Sequence, residues 1–310
     1  MSALQVVGVS KWFGDTVALS DVSFSSTSGV TGLLGHNGAG KSTLLSLLAG
    51  FSSPSQGTVR VLDQDPRAQP EVFRRVGMVS DADGLWPFLT ALQTVTYLAR
   101  QRGVADADAA ARHALTTVGM AAVVDRKVSG FSKGMRQRVR LAQALAHDPE
   151  VLLLDEPLNG LDPAQRRADV ELIRRLGQQG RTVLVSSHVL SEVERMAERV
   201  LVVVNGRLVA EGTPNGVRQL LNQQARTLRI ETDDPRRLAQ LLLADGAAEA
   251  VRLVAADAVV VDTADGAALA RRLPVIARES GLTLFRLLPL GEDLESVFDR
   301  LTAAARGVGR

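Results

Sequence analysis

The sequence predicts an α/β protein: a mixed sheet with crossover helices and an inserted helical subdomain over residues 1–213, then a smaller α+β domain over 227–310. Three observations carry this. At roughly 100 to 200 residues per domain, 310 residues exceed one ordinary core. Up to about Thr213, short β-branched apolar runs alternate with helical patterns, the rhythm of strands joined by crossover helices. After Pro214 the pattern restarts with a second set of elements. The 45% hydrophobic and 23% charged residues are those of a globular chain. No apolar run approaches the roughly 20 residues that span a bilayer, and Met1–Val9 does not read as a secretory signal. The cytoplasm is the expected compartment.

In chain order, the strand signals are "GVTGLLG" from Gly29, "VRVLD" from Val59, "VLLLDE" from Val151, "TVLVSSH" from Thr182 and "RVLVVVNGRLVAEG" from Arg199. "VLLLD" and "TVLVSS" are continuously apolar, as in parallel strands covered on both faces. Asn205-Gly206 is a type I′ turn signal and makes the last run an antiparallel hairpin. Between about Leu85 and Ala146 strand signals stop, and the patterns from Leu89 to Val104 and from Ala105 to Met120 are helical. Residues 214–226 read as a linker helix over "VRQLLNQQART". Beyond it come a strand from Thr227, a helix from Asp234 closed by Gly246, strands "AEAVRLVA" and "DAVVVDT", a helix from Gly266, a strand "LTLFRLLP" and a final helix "EDLESVFDRLTAAA". Strand, helix, strand, strand, helix, strand is ferredoxin-like order.

Zero cysteines exclude disulfide scaffolds, thiolate metal sites and cysteine nucleophiles, and four histidines leave little for an all-histidine metal centre. A net charge of +2 is too balanced to argue for nucleic acid, which is not expected as a partner. The only lysines are Lys11, Lys41, Lys127 and Lys133, so a motif that demands lysine is informative. Gly35-His36-Asn37-Gly38-Ala39-Gly40-Lys41-Ser42 fits G-x-x-x-x-G-K-[ST] after an apolar strand and before the helix "STLLSLLAG", which adds Thr43 to the cradle. Glycines let successive N–H groups point into one hollow, the helix N-terminus adds its dipole, Lys41 supplies a cation, and Ser42 offers a hydroxyl to Mg²⁺. Asp155 and Glu156 end a buried strand, which suits one acid to Mg²⁺ and the other to deprotonating the attacking water, although acids often sit where a strand meets a loop.

With these pieces in place, residues 4–213 resemble the nucleotide-binding domain of an ATP-binding-cassette (ABC) transporter, which implies a P-loop NTPase core of ABC type with ATP and Mg²⁺ as its ligands. "FSKGMRQRV" is similar to the family's L-S-G-G-Q signature; Ser132 and Gly134 keep its pattern, while Phe131, Lys133 and Met135 depart from it. From the residues alone, Ser132 is a helix cap beside a glycine, and an ordinary capped helix stays open. The resemblance implies that Ser132 and Gly134 close on ATP held by a second ATP-binding subunit. "NGLD" resembles the family's D-loop, with Asp162 at the dimer interface, against a plain turn before the helix that Pro163 begins. His188 matches the switch histidine that meets the terminal phosphate. In "KWFGDTVAL", Phe13 matches the adenine-stacking aromatic and Trp12 is expected to turn into packing, though either could be core. Where the family carries glutamine, this chain has Asp81, one methylene shorter and unable to donate a hydrogen bond, which points to altered Mg²⁺ handling; a turn-capping role stays open.

Fewer than a hundred residues separate Lys41 from Ser132, which excludes the long coiled-coil members of chromosome maintenance and DNA repair. A single phosphate loop disfavours the two-cassette translation factors. What the resemblance leaves is a one-cassette ATPase, peripheral on the cytoplasmic face of the membrane, with an integral-membrane permease subunit as partner. "LPLGEDLESVFDRLT" is similar to the ending of ATPase subunits of bacterial drug and antibiotic export systems. The alternative is a soluble regulatory switch in which the second domain senses a ligand.

Overall fold

A computed structural model of the chain describes residues 2–80, 84–223 and 227–289. The chain divides into two compact units after Pro214.

In the first unit, β1 (Leu4–Phe13) and β2 (Thr16–Ser26) pair antiparallel, and β3 (Gly29–Leu34) leads through the cradle into α1 (Lys41–Leu48). β4 (Gln56–Val61) and β5 (Val76–Val79) follow, then α2 (Ala91–Gln101), α3 (Ala107–Thr117) and α4 (Lys133–Leu145). β6 (Val151–Leu154), α5 (Pro163–Gln178), β7 (Thr182–Ser187), α6 (Leu190–Met196), β8 (Arg199–Val204) and β9 (Arg207–Gly212) complete it. Two sheets result: an antiparallel one in the order β2-β1-β4 and a six-stranded one in the order β5-β6-β7-β3-β8-β9. Neighbours from β5 to β8 are parallel, and β9 folds back antiparallel through Asn205 and Gly206, both at positive φ. Every residue of β3, β6 and β7 is buried, in keeping with strands covered on both faces, with Thr31, Thr182, Ser186 and Ser187 as the buried polar residues among them. One core cluster, with Leu4, Leu19, Leu33, Leu44, Leu48, Leu153, Leu184 and Leu201 fully buried, joins the two sheets through α1.

Helix starts follow local capping chemistry. Thr90 and Gln93 form a capping box on α2, while Asp106, Ser132 and Asp162 cap α3, α4 and α5 through their side-chain oxygens. The α1 helix has no such cap: Gly40 precedes it in the left-handed region at φ 104°. The stretch "KWFGDTVAL" forms the turn end of the β1–β2 hairpin, because positive φ at Gly14 lets the chain reverse within Gly14-Asp15.

α7 (Pro214–Gln223) begins at Pro214, earlier than the helical pattern from Val217, because proline is pre-set for a first helical position. The second unit contains β10 (Thr227–Thr232), α8 (Pro235–Ala244), β11 (Ala250–Ala255), β12 (Ala258–Asp262), α9 (Gly266–Ser280) and β13 (Leu284–Pro289). Its antiparallel sheet has the order β11-β12-β10-β13, the split βαβ arrangement. Leu228, Ile230, Val259 and Val261 of the sheet pack on Leu238, Leu242, Leu269 and Leu273 of α8 and α9. The predicted final helix and the export-like ending lie outside the described residues.

Candidate active site

Parallel register assembles the site. Leu34 of β3 lies beside Ser187 of β7, and Leu154 of β6 beside Val185, so the residues that follow these strands emerge on one edge. Those residues are the Gly35–Ser42 cradle, the Asp155-Glu156 pair and His188. Ligands of open α/β sheets bind at this carboxyl edge.

The cradle is held open by its glycines. A Cβ on Gly40 would lie 2.6 Å from the carbonyl oxygen of Ala18, so neither the backbone conformation nor the neighbouring strand admits a side chain. With no capping side chain, the first-turn amides of α1 are available to an anion, together with the helix dipole. Lys41, 5% exposed, donates to the carbonyls of Gly35 at 2.7 Å and His36 at 3.0 Å. Its ammonium also lies 3.2 Å from Glu156 Oε1. That oxygen is buried and has no aligned hydrogen bond, so the contact is an ion pair alone. Ser42 and Asn37 are exposed, and Thr43 is half-buried.

Asp155 and Glu156 are organised by a residue the motif reading did not single out. Ser186 Oγ donates to Asp155 Oδ1 at 2.7 Å and accepts from the Glu156 amide at 2.8 Å. The signal was there in the sequence, a serine pair closing an apolar strand. Glu156 sits at φ 45°, a strained setting for a side-chain-bearing residue, kept by the Ser186 contact and by the Asn159 amide bonding to its carbonyl. Its Oε2 lies 3.0 Å from His188 Nδ1. A carboxylate only accepts, so Nδ1 carries the proton, and Nε2 of a neutral ring is then an acceptor. For Nε2 to donate to a phosphate, the ring must become an imidazolium or leave Glu156.

Ser132, Gly134 and Asp162 form a second cluster at the first turns of α4 and α5. Ser132 Oγ accepts from the Met135 amide at 3.2 Å, and Asp162 Oδ1 accepts from Ala164 and Gln165. Gln165 Oε1 fills the space where Gly134 lacks a Cβ, and the stem of Lys133 crosses Gly160. Among the described residues no hydrogen bond or ion pair joins Ser132, Gly134 or Asp162 to Lys41, Glu156 or His188. Phe13 is 55% exposed with Lys11 Nζ 4.7 Å over its ring, so it is not core. Trp12 corrects the expectation that it packs inward: it is 41% exposed, because both aromatics sit at the turn end of the hairpin, beside Gly14-Asp15, where β1 runs past its buried stretch. Asp81 lies outside the described residues.

A family profile described as ABC transporter matches residues 19–159, from within β2 to the turn after Glu156. The Nod factor export ATP-binding protein I of Bradyrhizobium diazoefficiens is 39% identical over 219 residues, 69% of this chain and 72% of the relative. Its namesake in Rhizobium johnstonii is 33% identical over 307 residues, 97% of this chain and 94% of the relative. The chain belongs to the ATP-binding proteins of ABC transporters. This ABC protein binds ATP and, as its family does, hydrolyses it to power transport. A bacterial ABC transporter cassette solved as a dimer superposes with a TM-score of 0.62 at 25% identity, covering 68% of this chain and 98% of that one. Among the described residues no helix is long and apolar enough to cross a membrane.

Proposed function

We propose that this ABC ATPase energises an exporter of drug-like or hydrophobic compounds, closing with a second ATP-binding subunit on two nucleotides and driving an integral-membrane permease at the cytoplasmic face of the membrane. The observation that carries the reading is the convergence of Lys41, Asp155, Glu156 and His188 at the ends of adjacent parallel strands. Support for export comes from the Nod factor export relatives, and support for dimerisation from the dimeric cassette, also solved in a post-hydrolysis state with ADP and phosphate.

ATP phosphates lie along the uncapped first turn of α1, with Lys41 exchanging Glu156 for the outer phosphate oxygens and Phe13 stacking on the base. Glu156, once released, accepts a proton from a water as its oxygen bonds to the γ-phosphorus, and the bond to the bridging oxygen breaks to leave ADP and phosphate. His188, once its ring leaves Glu156, donates a hydrogen bond to the transferred phosphoryl group. The donor set fits Mg²⁺: Asp155 is 5% exposed and anchored through one oxygen, the Ser42 hydroxyl is exposed, and both are hard oxygen ligands. When bound, the ion supplies charge neutralisation to the phosphates. Purification of the tagged chain from its own membranes in mild detergent tests the proposal. A stoichiometric multi-span partner that changes ATP turnover is expected; active ATPase recovered only from the soluble fraction would replace the transporter with the regulatory switch. Lys41→Ala should abolish ATP binding, and retained affinity would remove the cradle as the nucleotide site.

A further inference from the structure

His188 lies between β7 and α6 on a turn whose capping position, Val189, has no side-chain oxygen to offer. Ser187 does the fastening: its Oγ accepts from the Val189 amide at 3.0 Å and donates to Glu192 Oε2 at 2.9 Å. The residues on either side of His188 are therefore tied to a single carboxylate. Glu192 is only 8% exposed, and a buried charge persists where it is paired and hydrogen-bonded. Its partner is Arg166, with Nη1 3.1 Å from Oε1. Arg166 belongs to the first turn of α5, directly after Gln165, the residue seated against Gly134, and on the helix capped by Asp162. Two successive side chains of α5 thus touch the first turn of α4 and the first turn of α6, and Glu192 of α6 in turn holds Ser187 beside His188.

We infer that Arg166 and Glu192 are positioning residues for His188, registering its turn to the first turn of α5 so that a shift of the Asn159–Asp162 loop is passed to the imidazole. The inference rests on the proposed role of His188 in the site. The Glu156 contact by itself anchors one nitrogen of the ring and leaves the turn beneath it to be placed by Ser187 and Glu192. Misplacement of a reacting group by about 1 Å can lower a rate by on the order of a hundredfold. No side chain of the pair reaches the cradle, so its loss should leave nucleotide affinity in place.

The test uses the full chain and two conservative variants. Glu192→Gln keeps the size of the side chain and an acceptor for Ser187 while removing the charge; Arg166→Gln removes the other partner. Each is expected to lower kcat at saturating ATP about tenfold or more, the usual range for outer-shell partners, with Kd for ATP within about twofold of the parent. The double variant should be no slower than either single variant. In a His188→Ala background the same substitutions should change the residual turnover little, because they act through that ring. With four histidines in the chain, ring resonances give a readout independent of activity. The signal lost in His188→Ala should shift in Glu192→Gln, while those of His113 and His147 stay in place. An unmoved His188 signal with unchanged kcat, or an equal fold-loss with and without His188, overturns the inference. Full turnover in His188→Ala itself would overturn the role of His188 as well, and that single variant tells the two failures apart.

Discussion

Glu156→Gln should tighten nucleotide binding while it slows hydrolysis. In the structure the Lys41 ammonium is shared among the carbonyls of Gly35 and His36 and the Glu156 carboxylate, so an incoming phosphate competes with Glu156 for it. At 3.2 Å and an effective dielectric of about 20, the gross Coulomb attraction is about 5 kcal/mol. Desolvation and solvent reorganisation cancel most of it. What survives for a charge-assisted contact between side chains 5% and 12% exposed is about 1.5 kcal/mol. Lys41 keeps an anionic partner after the exchange, whereas Glu156 loses its cation and is left beside the triphosphate. Glutamine avoids that loss, so Kd should fall about tenfold, at 1.4 kcal/mol per decade. Removal of the base should lower kcat by about 10² to 10⁴. The affinity is read by calorimetric titration with ATP in EDTA, at concentrations where light scattering shows a monomer, so that neither turnover nor dimer closure contributes. An unchanged or weaker Kd in a folded Glu156→Gln variant would refute the competition.

Other consequences are as direct. Burial raises the Asp169 carboxyl to about 6, against the lowering effect of Arg138 at 3.5 Å. The folded state therefore holds this proton more tightly than the unfolded chain, and the stability it contributes is present at acid pH and lost as pH rises through about 6. Between pH 5 and pH 7 the difference in unfolding free energy between parent and Asp169→Asn should drop by about 1.3 kcal/mol, measured in urea; a flat difference contradicts the burial argument. Gly40→Ala meets the fixed Ala18 carbonyl and should cost about 2 to 3 kcal/mol in thermal unfolding and abolish nucleotide binding, whereas Gly38→Ala, with open space around it, should cost about 1 kcal/mol. Ser186→Ala leaves Asp155 Oδ1 and the Glu156 amide without their shared partner, a loss of about 1 to 3 kcal/mol with a reduced kcat; unchanged turnover would show that Ser186 does not place the two acids.

The parts of this protein that could be read without coordinates depend on neighbours in the chain. The cradle is eight consecutive residues whose glycine spacing sets its own backbone, and the start of α4 is announced by Ser132 because a cap bonds only two or three residues ahead. The continuous apolar runs of β6 and β7 likewise declare strands covered on both faces. Periodicity says nothing about which strands are neighbours, and the order β5-β6-β7-β3-β8-β9 is what sets Lys41, Glu156 and His188 side by side. The same holds for Ser186 bridging the two acids, for Arg166 meeting Glu192, and for Trp12, whose exposure depends on where the antiparallel sheet ends. Sequence alone determined the glycine-rich turn before α1, the Ser132 cap and the buried strands, since local hydrogen bonding and side-chain period encode them. Tertiary structure decided which charges meet, because a contact between distant residues follows from packing and register across the sheet.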